Sequence, residues 1–125
     1  MRLLLDTHIV LWVLANSPRL PDEARGLIRD CEISYVSAAT VWEIAIKTAR
    51  GKLGVDTVEL TVDLAAANLH ELPITWAHAL AVKRLPPLHN DPFDRLLVAQ
   101  AMTEPLILLT VDADLEQYGS FVRRV

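Results

Sequence analysis

Residues 89–112, HNDPFDRLLVAQAMTEPLILLTVD, decide the fold. Asp91 followed by Pro92 reads as a helix N-cap with proline at the first helical position, and Asp94 falls in the first turn, where a carboxylate complements the helix dipole. Leu97, Val98 and Ala101 carry the helix forward on an apolar face. The apolar run at 106–110 then reads as a buried strand that stops just before Asp112. A helix feeding an apolar strand, with an acid past the strand's C-terminal end, is one unit of an alternating α/β chain.

The rest of the chain repeats that order. Leu3, Leu4 and Leu5 form a short apolar run closed by Asp6, and a helix containing Ile9, Trp12 and Val13 stops near Asn16, Ser17 and Pro18. Pro21 suits the first turn of a second helix carrying Ala24, Leu27, Ile28 and Cys31, and residues 33–36 are a β-branched and aromatic strand. Ser37 is a good N-cap for a helix over 38–50, with Val41, Ile44, Ala45 and Thr48 on one face and Gly51 at its end. Helical stretches at 62–69 and 76–84 flank a short strand at 72–74, Pro86 and Pro87 close them, and a last strand lies at 121–125. Strands alternating with helices predict a mainly parallel central sheet covered on both faces, an α/β/α sandwich in a single domain over 1–125. The three tryptophans, Trp12, Trp42 and Trp76, read as core residues.

Composition removes several classes of function. The chain has 125 residues, 52% of them apolar, enough for one core without staples. Cys31 is the only cysteine, so neither a disulfide nor a C-x-x-C metal site exists, and a reducing cytoplasm is the matching compartment. The longest early apolar run, at 9–15, is far short of the roughly 20 residues of a membrane span. Asp6 and His8 interrupt the apolar start that an export signal would need. A net charge of −4 excludes a broad basic surface while leaving room for a local one. No G-x-S-x-G elbow, H-E-x-x-H pair or phosphate-cradling glycine loop is present. The histidines, His8, His70, His78 and His89, read as structural or surface residues, with only His8 adjoining a candidate acid.

The acids carry the chemistry. Right-handed crossovers bring the C-terminal ends of parallel strands to one edge, where ligands of such sheets bind. Asp6 ends the first strand, Asp112 follows the 106–110 strand, Asp94 opens the helix after Pro92, and Glu43 lies in the second turn of the helix after the 33–36 strand. Each has a structural alternative. Asp6, Asp91 and Asp112 can cap helices, Glu43 can pair with Lys47 or close a capping box with Thr40, and Asp114 can be a solvated first-turn acid. Their convergence needs more than capping, because close carboxylates repel one another unless a cation lies between them. Mg2+ takes oxygen ligands from one or two carboxylates and the substrate, and activates water for attack on a phosphodiester.

Four segments together resemble a known family: LLLDTH at 3–8, SAATVWEIAIK at 37–47, HNDPFDRLLVAQA at 89–101 and LTVD at 109–112. In this order and spacing they are similar to a PIN-domain ribonuclease of the VapC toxin type over essentially the whole chain. The resemblance implies a catalytic quartet of Asp6, Glu43, Asp94 and Asp112, with metal held by Asp6, Asp94 and Asp112. Asp114 is a further candidate, and Asp91 an auxiliary one through the DPFDR form of the motif. The resemblance also implies Mg2+ or Mn2+ dependence, endonucleolytic RNA cleavage leaving 5′-phosphate and 3′-hydroxyl ends, dimer formation, and inhibition by a co-expressed antitoxin.

Local cations are the candidates for holding RNA. Lys47, Arg50 and Lys52 trail Glu43, and Arg95 adjoins Asp94. Trp42 and Ile46 lie off the apolar helix face and are candidates for contact with an antitoxin or a second protomer. Two other readings keep the acidic edge: a receiver-like regulatory module that accepts phosphate, and a DNA-directed nuclease of the same superfamily. Against the first, the strand at 33–36 runs into Ser37 with no acid to accept a phosphoryl group. RNA and DNA differ at the 2′-hydroxyl, a contact that spacing does not reveal.

Overall fold

A computed structural model describes residues 1–125. Five strands, β1 (Arg2–Leu5), β2 (Ile33–Ser37), β3 (Leu69–Leu72), β4 (Ile107–Thr110) and β5 (Val122–Arg124), form one sheet in the order β3-β2-β1-β4-β5. Every neighbouring pair is parallel, with Leu4 beside Tyr35 on one side and Leu108 on the other. Seven helices cover it: α1 (Thr7–Leu14), α2 (Asp22–Asp30), α3 (Ala38–Ala49), α4 (Leu60–Ala66), α5 (Trp76–Ala81), α6 (Pro92–Thr103) and α7 (Ala113–Glu116). The α/β/α sandwich expected from the alternation is the architecture observed.

The leucine run at the start of the chain is explained by position. In the middle strand of a sheet covered on both faces, successive side chains enter opposite cores, so no residue needs to be polar. Leu3 and Leu5 join Ile9 and Val10 of α1, Ala24 of α2, Ile44 of α3 and Leu64 of α4. Leu4 joins the other core with Leu97 and Val98 of α6, Leu108, and Leu115 of α7. All three leucines are fully buried. Because β2 and β3 extend the sheet one way from β1 while β4 and β5 extend it the other way, the crossovers diverge between β1 and β4. That divergence opens a crevice outside the C-terminal strand ends.

Several local expectations change. The helix expected at 62–69 is α4, which starts earlier and ends before Asn68, whose φ of 59° leaves the helical region. Leu69 therefore begins β3, paired with Ser34, and the strand expected at 72–74 lies earlier in the chain. Pro21 is the N-cap of α2 rather than part of its first turn. Helix α7 is too short to show a periodicity, and only the capping alternative for Asp112 and the first-turn reading of Asp114 pointed to it. In α3 the buried residues are Ala39, Thr40, Glu43 and Ile44, and Ala45 is exposed. The helix packs against α6 as well as β2, which turns Glu43 inward. Only Trp12 packs on the core; Trp42 is 58% exposed and Trp76 89% exposed, so neither is a core residue. No helix is long and apolar enough to cross a membrane.

Leu4 touches the two central strands and the α6 layer, and its truncation leaves a cavity with little means of collapse. Leu4→Ala is expected to cost about 2–5 kcal/mol, read as a lowered midpoint in chemical denaturation with an unchanged slope.

Candidate functional site

The turn from β1 into α1 places the first acid. Asp6 is the N-cap of α1, with Oδ1 accepting the Thr7 amide at 2.7 Å and Oδ2 accepting the Thr110 hydroxyl at 2.6 Å. Thr110 ends β4, so the two neighbouring strand ends are tied through a buried carboxylate. The same hydroxyl accepts the Asp112 amide at 3.0 Å. Asp112 in turn caps α7, its Oδ1 accepting the Asp114 amide at 2.8 Å. The capping alternatives for Asp6 and Asp112 are therefore real, and they leave both residues at the crevice.

Glu43 arrives from α3 and is buried. Its Oε1 accepts the Thr7 hydroxyl at 2.8 Å, its Oε2 pairs with Lys47 at 2.8 Å, and Thr7 also meets Thr40 at 3.2 Å. The pairing with Lys47 read from the i,i+4 spacing is present; the capping box with Thr40 is not. Hydrogen bonding to Glu43 raises the Lys47 pKa above its ordinary value. Asp91 caps α6 through the amides of Phe93 and Asp94, at 2.8 and 3.3 Å. That cap holds Asp94 at the inner end of the helix, half-buried and facing the other acids.

The electrostatic result is severe. Burial, reinforced by the charges of Asp6 and Asp91, pushes the Asp94 pKa up to about 7. Burial also raises Asp6, despite its two hydrogen bonds. Oxygen donors from separate segments, partly desolvated and mutually repelling, are the donor set that a hard divalent cation takes. The residues present fit such an ion.

His89 is the site residue that sequence reasoning missed, having favoured His8. Its Nδ1 accepts the Asp91 amide at 3.0 Å, so the ring proton sits on Nε2. Nε2 lies 3.4 Å from Asp94 Oδ2 and 3.4 Å from Asp112 Oδ2. His89, Asp112 and Asp114 also bring ligand-type atoms within 4.8 Å of one another. In this tautomer, however, Nε2 offers a proton rather than a lone pair, and His89 orients two carboxylates instead of joining them as a ligand. The signal was its place two residues before the Asp91 cap. His8 is exposed and lies beside Trp12, while His78 is buried against Glu104, away from the acids.

The cations separate into two groups. Arg95 commits both terminal nitrogens internally, to Pro86 O at 3.0 Å, Tyr118 Oη at 3.1 Å and Val82 O at 3.4 Å among others. It locks the loop before α6 to the helix, which corrects its grouping with the phosphate-contacting cations. Lys47, Arg50 and Lys52 instead line a cleft that includes Glu43, Asp91 and Phe93. Asp114 is exposed beside Asp112.

Asp94 has a consequence for stability. Its folded pKa, about 7, lies above the ordinary 3.8, so the fold favours its protonated form. Stability from this group is complete below about 3.8 and is lost as pH rises through 7. In metal-free buffer, Asp94→Asn is expected to melt several degrees above the parent at pH 8, with the gap closing toward pH 4, as measured by circular dichroism.

Comparison with known proteins bears on the fold and the family. A search of curated proteins by sequence gave no match. Among solved structures, the chain is similar to VapBC2 from Rickettsia felis, solved bound to a DNA fragment from their promoter, with a TM-score of 0.72 and 14% identity over 99% of this chain and 98% of that one. It is also similar to FitAcB from Neisseria gonorrhoeae, with a TM-score of 0.62 and 20% identity over 90% of this chain and 89% of that one. At these identities the likeness is one of fold. The family model for the PIN domain matches residues 3–120, nearly the whole chain and every acid of the crevice, and the protein belongs to the PIN-domain family.

Proposed function

We propose that the chain is a metal-dependent endoribonuclease toxin of the VapC type, held in check by a cognate antitoxin in the cytoplasm. The observation that carries this reading is the gathering of Asp6, Glu43, Asp94 and Asp112 at the crevice between β1 and β4 of a PIN domain. In this reading Asp6, Asp94 and Asp112 hold Mg2+ or Mn2+. The bound ion supplies an activated water and neutralises charge on the departing oxygen.

The chain's own residues prepare the site. Thr110 orients Asp6, Thr7 and Lys47 fix both oxygens of Glu43, and His89 donates toward Asp94 and Asp112. Glu43 is thereby a fixed acid beside the reacting phosphate. Asp91 sets the helix that delivers Asp94, and Asp114 extends the acidic rim. Lys47, Arg50 and Lys52 are the phosphate-holding cations, and they act on backbone charge without selecting sequence. Ile46, which lines the same cleft, and Trp42, exposed one turn before it on α3, are the contact offered to an antitoxin, and the toxin acts as a homodimer. The four motif segments and the likeness of fold to VapBC2 and FitAcB support the toxin reading.

Purified protein is expected to cut a mixed RNA pool at discrete places with Mg2+ or Mn2+, and to lose that activity in EDTA. Asp6→Asn and Asp94→Asn are each expected to lose at least a hundredfold, in line with the roughly 10²–10⁴-fold typical of a positioned catalytic group. Full cleavage by both variants rejects the site. For the partner, Ile46→Asp is expected to weaken antitoxin binding by calorimetry while the far-ultraviolet dichroism stays unchanged; equal affinity removes the assignment.

A further inference from the structure

Trp42 is an expensive residue to leave in water. It is 58% exposed, in a chain where most large apolar side chains are buried or half-buried. It is also braced, packing edge-to-face on Phe93 with ring centroids 5.0 Å apart and an interplanar angle of 70°. Phe93 belongs to α6 one residue before Asp94, so the indole is tied to the helix that carries the central acid. A side chain held this way is pre-oriented and loses little freedom on meeting a flat partner.

Its surroundings narrow what that partner is. One helical turn along α3, Ile46 enters a cleft of about 240 Å³ shared with Lys47, Arg50, Lys52 and Phe93. Arg50 and Lys52 are exposed, and no ion pair of the protein includes either of them. In a chain of net charge −4 these cations gather on one wall beside an acidic crevice. The wall offers a π-face at its rim and free positive charge along its length, the combination that holds single-stranded nucleic acid by stacking and phosphate contact.

We infer that Trp42, braced by Phe93, is a stacking platform for one nucleobase of a single-stranded RNA whose adjoining phosphates lie on Arg50 and Lys52. This rests on the nuclease reading and adds to it a subsite beside the scissile position. Because α3 carries both Trp42 and Glu43, a base on the indole sets the register of the strand against the acids. Stacking accepts any base and needs an unpaired one, so a duplex does not satisfy the site.

The test is binding, separate from cleavage. A fluorescein-labelled, unstructured ten-nucleotide RNA is titrated by anisotropy against full-length Asp94→Asn protein, with Trp42→Ala, Trp42→Phe or the Arg50→Ala/Lys52→Ala pair added. Trp42→Ala is expected to raise Kd roughly five- to a hundredfold, the range found when one stacking residue is removed. Trp42→Phe should recover most of the affinity, and an abasic strand of the same length should bind the Trp42→Ala protein and its parent alike. The slope of log Kd against log salt should stay constant in Trp42→Ala and fall by about 1–1.5 in the paired variant, at roughly 0.7 per phosphate contact. An unchanged Kd in Trp42→Ala overturns the inference and leaves the indole as a protein contact; so does a loss that Phe fails to restore, or one equally large with the abasic strand. Because no cutting is measured, a wild type that binds in this pattern but never cleaves RNA rejects the nuclease reading alone.

Discussion

The hydrogen bond from the Thr110 hydroxyl to Asp6 joins groups 104 residues apart in the chain and 2.6 Å apart in space. It crosses the boundary between β1 and β4, where the crossovers diverge and the sheet opens a crevice. Without a donor there, Asp6 would carry a desolvated charge with only its own helix amide to satisfy it. The same hydroxyl receives the Asp112 amide, so one threonine sets the relative position of two acids from distant segments. Thr7 does the corresponding work for Glu43. The acidic cluster is thus built on hydroxyls at strand and helix ends.

Capping a helix does not take Asp6 or Asp112 away from the crevice. An N-cap carboxylate uses one oxygen on an amide and leaves the other free, and the helix N-terminus reduces the cost of its charge. Asp6 and Asp112 use Oδ1 in this way and turn Oδ2 to other groups of the crevice. In a parallel sheet the helices that follow β1 and β4 begin at the same edge, so their caps gather there as a consequence of topology. The fold was legible for that reason. Apolar runs closed by an acid mark β1 and β4, and the Ser37 and Asp91 caps mark the long α3 and α6, directly from residue type and spacing.

What was not legible depends on contacts between segments. The boundary between α4 and β3 rests on one left-handed residue, Asn68, inside a run without strong periodicity. The inward turn of Glu43 depends on α3 meeting α6 and on Thr7, neither of which lies near it in the chain. Arg95 looks identical in sequence to a phosphate-binding cation, and only the folding of residues 82–89 around it reveals its internal role. The place of His89 depends on a hydrogen bond from the Asp91 amide to its Nδ1, which residue type alone does not reveal. Residue type alone puts Trp42 and Trp76 in the core, whereas the spacing of α3 already turns Trp42 off the apolar face, and both are exposed.

The acids at the crevice oppose folding and the helices around them absorb the cost. Asp94 is held near Asp6 and Asp91 by the α6 cap and by the Arg95 clamp on the loop before it, while Leu97 and Val98 bury the next turn completely. Relief is available from a proton, or from His89, whose Nε2 lies 3.4 Å from Asp94 Oδ2. A divalent cation relieves the repulsion more fully, because it interacts with several carboxylates at once, whereas a proton neutralises one. The free energy such an ion would gain on binding would therefore be partly strain already present in the empty arrangement. Under the proposed function, stability surrendered by the unliganded fold would become affinity for the ion, which is the usual exchange at a preorganised polar site.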